Sequence, residues 1–182
     1  MLILRILCAV SICAGALPAA TPSPKANEVF DGTLTNTEKE FVSLVAAMPA
    51  DKFSFAPTAG KFDGVRTFGA QAKHAAYVIN EIAAALLGET KPPTGPNEGG
   101  PENLTRKDEI LQYVKDAFAH AHLAVAKLTK ANLLELTADP FDPKTKSTRV
   151  ASVGIFFWHT FDHYGQMVEY ARMNGVVPPA SQ

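Results

Sequence analysis

Residues 148–175 read TRVASVGIFFWHTFDHYGQMVEYARMNG, and the fold turns on them. Thr148 is a competent helix N-cap, Gly175 sits where a helix closes in a left-handed turn, and Pro178 and Pro179 bar continuation. Between these ends Val150, Val153, Phe156, Phe157, Phe161, Met167 and Val168 spread around most of the circumference. A helix that is apolar nearly all round belongs in the middle of a helical body. At roughly 100° per residue, His159 and His163 stand one turn apart on one face, together with Ser152, Phe156, Gln166 and Tyr170. Asp162 points elsewhere.

Moving toward the N-terminus, the third helix covers about Arg106 to Lys130, with Thr105 and Asp108 as its cap and Ile110, Val114, Ala117, Ala121, Val125 and Leu128 on one side. The second runs from about Thr67 to Leu87 and stops at Gly88; its stripe is Phe68, Ala72, Ala75, Ile79, Ile82 and Leu86, with His74 at the edge. The first begins near Thr35 or Thr37, where Thr35…Glu38 and Thr37…Glu40 have capping-box spacing, and ends at Pro49. No segment alternates like a strand. The expected fold is therefore all-α, a four-helix bundle over residues 34–180 with long loops. Phe53 and Phe55 in the 50–66 connection should pack down on the body. The Gly88–Thr105 loop holds four prolines and four glycines and cannot be helix. Asp139–Pro143 marks another loop.

The whole chain has 182 residues with 17 basic and 18 acidic side chains, which fits one domain plus an appendage. At 47% apolar and 19% charged it is not globally disordered, and the even charge balance excludes a polybasic nucleic-acid binder. The appendage is residues 1–20: Arg5, an apolar run Ile6–Ala16 too short to span a bilayer, then a small-residue exit at Ala19 and Ala20. This is the layout of a cleavable signal peptide, followed by a tether over residues 21–33. The expected location is periplasmic or extracellular. Cys8 and Cys13 both lie in the leader, and Val10–Cys13 matches a lipidation box poorly. A mature chain without them has no disulfide and no thiolate ligand.

Histidines at i and i+4 form a bidentate clamp for a divalent transition ion such as Zn, Ni, Mn or Fe. A third imidazole from a facing helix would complete an N₃ set with open positions, the pattern of catalytic sites. His74, His120 and His122 compete for that place. His120 points away from the third helix's apolar stripe and reads as solvated, whereas His122 lies on its flank. Phe156, Phe157, Trp158 and Phe161 read as core rather than as the lining of a ligand pocket.

Phe68-Gly-Ala-Gln-Ala-Lys-His74, His159-Thr-Phe-Asp-His163-Tyr-Gly-Gln166 and Tyr170-Ala-Arg-Met-Asn-Gly-Val-Val-Pro-Pro179 resemble, in order and spacing, the DinB/YfiT-like family. Met48–Pro57 resembles the stretch that precedes that family's second helix. The resemblance implies a four-helix bundle holding a divalent metal through His74, His159 and His163. It implies a supporting role for Gln166, orienting His163 or a water; Tyr170 is a further candidate by neighbourhood, since it shares the histidine face. Relatives include transferases and isomerases that use low-molecular-weight thiols, which an exported protein would seldom meet. The implied function is a metal-dependent hydrolase or transferase acting on a small molecule. The alternative is a non-catalytic binding module stabilised by its metal. The uncovered side of the bundle is where a second copy would pair, giving a homodimer as in some relatives.

Overall fold

The computed structural model describes residues 23–58, 60, 63–89, 98–142 and 144–182; the leader at 1–20 falls outside them. Four α-helices make up most of what is described: α1 (Ala26–Ala47), α2 (Phe68–Leu87), α3 (Lys107–Val125) and α4 (Arg149–Met173). Two short strands, β1 (Leu136–Ala138) and β2 (Lys146–Thr148), pair antiparallel with Leu136 opposite Thr148. The fold is a helical bundle, but it is not purely α. Three residues per strand give alternation too little length to register. The described residues 139–142 lead out of β1, and there Asp139 Oδ1 accepts from the backbone N–H groups of Phe141 and Asp142.

Helix α1 starts at Ala26, so residues 26–33 are helix rather than tether. No Ser, Thr, Asp or Asn marks its start. The Glu28 carboxylate instead accepts from the Lys25 backbone N–H at 3.1 Å. Thr35 and Thr37, which looked like caps, are interior residues of this helix, and Thr37 Oγ1 donates back to Thr33 O.

The central helix is α2, not α4. Fourteen of its 20 residues are buried, against eight of 25 in α4. Its run of alanines lets neighbours approach closely, and it packs on both α3 and α4. Phe156 is buried, but Trp158 and Phe161 lie on the outer face of α4, 61% and 42% exposed. At the base of the bundle Thr137 Oγ1 donates to Ala85 O at 2.6 Å and Arg149 Nη1 to Leu86 O at 2.8 Å. Near the top Gln71 meets Gln166. Helices α2 and α4 are therefore antiparallel, and this pairing sets His74 opposite His159 and His163. The 50–57 connection packs down as expected. Phe68 N–H donates to Phe55 O, Gly69 N–H donates to Phe53 O, and the rings of Phe53 and Phe68 meet edge-on at 5.4 Å.

Candidate metal centre

Thr67 starts α2 by accepting the Ala70 N–H on its hydroxyl, and His74 falls two turns in, 6% exposed. Thr148 caps α4 in the same way, from Ala151 N–H. Ring centroids lie 5.1 Å apart for His74–His159, 4.7 Å for His74–His163 and 4.5 Å for His159–His163. One ring nitrogen from each lies within 4.8 Å of the others. The three imidazoles thus share one small volume between α2 and α4.

Hydrogen bonding fixes which nitrogen faces that volume. Asp162 can only accept, so Gln166 Nε2 donates to its Oδ2 at 3.2 Å. Gln166 Oε1 then accepts from Gln71 Nε2 at 2.8 Å, and Gln71 Oε1 accepts from His163 Nδ1 at 2.6 Å. His163 Nδ1 must carry the proton, and its Nε2 is left with a bare lone pair. His74 Nδ1 donates to the Glu98 carbonyl at 2.6 Å, which frees its Nε2 in the same way. Paired Nδ1–H groups are how metal-binding histidines are held in orientation and made more basic.

His159 breaks this symmetry. Its Nδ1 is buried without a partner, and its Nε2 lies 3.2 Å from His163 Nε2. With His163 Nε2 bare, a neutral His159 turns either an Nε2–H or a second lone pair toward it. A shared cation would accept both lone pairs. Ligand nitrogens about 2.0–2.1 Å from an ion stand roughly 3 Å apart, so the His159–His163 pair fits one, with a His74 nitrogen within 4.8 Å of both.

Burial also prepares the rings as ligands. It pushes His159 down to about 4, helped by the charges His163 and His74 would carry. His163 falls to about 4, through burial and then the charges of His74 and Arg66. His74 is lowered as well, mainly by burial. All three are neutral near pH 7.

The other histidines are not brought here. His120 is not solvated: Nδ1 bonds Asn80 Oδ1 at 2.9 Å and Nε2 lies 3.1 Å from Glu89, with its side chain 18% exposed. His122 joins α3 to α1 through Asp31 at 2.6 Å and Glu38 at 3.1 Å. Gln166 acts on His163 only through Gln71, and Gln166 itself is exposed. Tyr170 packs edge-on to Phe55 at 5.7 Å, and among the described residues it has no ring or hydrogen-bond contact with the three histidines. The sequence reading missed Gln71 and Glu98. Gln71 had a signal, because three residues before His74 is the same face of the helix. The Glu98 carbonyl had none.

Residues 33–167 match the family model of the DinB superfamily. The fold is similar to that of a DinB-like protein from Bacillus cereus ATCC 10987, with a TM-score of 0.66, 18% identity, and coverage of 84% of this chain and 95% of that one. At that identity the likeness concerns the fold alone. No curated protein matches the chain.

Proposed function

The chain belongs to the DinB superfamily, and from that premise we propose that it is an exported divalent-metal protein catalysing hydrolysis or group transfer on a small molecule. His74, His159 and His163 are the ligands in this reading. The observation that carries it is the hydrogen-bonded orientation of two imidazoles, with the Nε2 of a third only 3.2 Å from that of His163. A divalent first-row ion held by three neutral imidazoles keeps its full charge and acidifies a water or thiol at its open positions. The chain's own residues do the rest. Gln71 holds the His163 lone pair inward, Glu98 does so for His74, and burial keeps protons off the rings. His159 is the most accessible of the three, with the exposed Trp158 ring edge-on to it at 5.6 Å. Substrate approaches from that side.

Purified protein should carry about one equivalent of a first-row ion, and His159→Ala should reduce it by at least about tenfold, measured by elemental analysis. Undiminished metal in that variant would sink the three-histidine site. Delivery outside the cytoplasm by residues 1–20 is part of the same reading, and N-terminal sequencing of the mature protein checks it.

A second reading is favoured by the ligands coming from two helices, because an ion there would tie α2 to α4 in a protein without catalysis. The coordination sphere separates the two readings. Open positions holding exchangeable water support chemistry, and a fourth protein ligand supports a structural tie.

A further inference from the structure

Arg66 stands immediately before the Thr67 cap of α2, at the rim of the three-histidine centre. Two residues on, the Phe68 N–H donates to Phe55 O. The guanidinium offers five donors in a planar fork. Its one partner among the described residues is Glu98 Oε2, at 3.6 Å, which is beyond a hydrogen bond. Glu98 is bifunctional here: its carbonyl holds His74 Nδ1 at 2.6 Å, while its carboxylate, 77% exposed, faces Arg66. An exposed pair of this kind holds its partners only weakly. Arg66 can therefore exchange the Glu98 carboxylate for another one without disturbing the carbonyl that orients His74.

The positive charge of Arg66 is felt at all three rings. Three neutral imidazoles, a divalent ion and a guanidinium leave the centre strongly cationic, and the carboxylates that act on it among the described residues, Glu98 and Asp162, are exposed. That field selects an anion. The fork geometry selects a planar one, because guanidinium and carboxylate match bidentately. The exposed Trp158 ring beside His159 gives an apolar surface for the rest of such a molecule.

We propose that Arg66 is a substrate-binding residue, whose guanidinium takes the carboxylate of a small organic acid placed against the three histidines. The proposal rests on the metal reading above and names the substrate class for it. The test uses the full chain loaded with cobalt, whose visible spectrum reports the metal site directly. Trp158 is the only tryptophan, so its fluorescence reports binding beside His159. Benzoate should bind, and its neutral isostere benzamide should not. Arg66→Met should weaken benzoate at least about tenfold, the scale of a lost charged hydrogen bond, while leaving the cobalt spectrum unchanged. Arg66→Lys keeps the charge without the fork and should weaken it by a smaller factor; it also decides the matter if the Met variant fails to fold. Equal benzoate affinity in wild type and variants, with cobalt bound, overturns the Arg66 assignment and leaves the metal reading standing. Tighter binding of inorganic phosphate than of benzoate overturns the carboxylate class. A wild-type protein that gives no cobalt spectrum overturns the metal reading, and this proposal falls with it.

Discussion

Gln71 is uncharged and does not titrate, yet its amide decides which nitrogen of His163 faces the centre. Replacing it with leucine keeps the volume and removes the acceptor. His163 Nδ1–H would then be buried without a partner, or the proton would move to Nε2 and occupy the metal-facing lone pair. Gln71→Leu should lower metal affinity by about 10–100-fold, the usual cost of losing a partner behind a ligand. Isothermal titration with zinc measures it, and unchanged affinity would mean that the relay from Asp162 does not reach the centre. The three histidines could be read from the sequence, two by their i, i+4 spacing and the third through the family resemblance. The relay could not, because it runs between helices 95 residues apart in the chain. Nothing local to Gln166 says that it reaches His163 through another helix. Arg66 sits in a loop, where no periodicity applies.

Helices α2 and α4 could be delimited from their Thr67, Gly88 and Thr148 signals because those residues act locally, through their own side chains or backbone. The start of α1 could not, because a glutamate three residues inside the helix does the capping. The hairpin was hidden for another reason: its value is tertiary, since it supplies Thr137, and Arg149 just after it, to the last carbonyls of α2. At the opposite end of α2, Gly69 decides how closely the 50–57 connection can lie. A Cβ there would stand 3.1 Å from Phe53 Cδ1 and 3.2 Å from the Phe53 carbonyl oxygen. The oxygen is backbone and already accepts the Gly69 N–H at 2.8 Å, so it has little room to yield. In an open helix glycine to alanine gains up to about 1 kcal/mol. Here the overlap should win, and Gly69→Ala should destabilise by about 1–3 kcal/mol. Urea unfolding tests the sign, and a stabilised variant would show that the connection is free to move away.

An ion held by residues of both α2 and α4 is bound only by the folded chain, so the fold and the site share one free energy. At zinc 100-fold above its dissociation constant the linkage contributes about 2.7 kcal/mol. In a domain of this size that raises Tm by roughly 5–10 °C relative to chelated protein. The pH dependence follows from the signs of the histidine shifts. In the metal-free protein His159 and His163 ionise near 4 when folded, against 6.5 when unfolded. Below pH 6.5 the unfolded chain therefore binds protons first, and stability falls as pH drops toward 4 and then levels off. His122 has the opposite sign. Burial alone would lower it, but the Asp31 and Glu38 carboxylates outweigh burial and raise it, so its contribution is whole below 6.5 and is lost as pH rises through its folded value. Metal-free protein should accordingly be most stable around neutrality and weaken on both sides. The gain from zinc has its own limit. Protons compete for His159 and His163 only as pH approaches 4, and burial lowers His74 as well, so most of the gain should persist at pH 5.5, where ordinary exposed histidines would already be protonated. Thermal unfolding with saturating zinc and with chelator, at pH 7.5, 5.5 and 4, measures this directly. A gain already lost at pH 5.5 would mean that the rings titrate like exposed ones and that the centre is not assembled in solution.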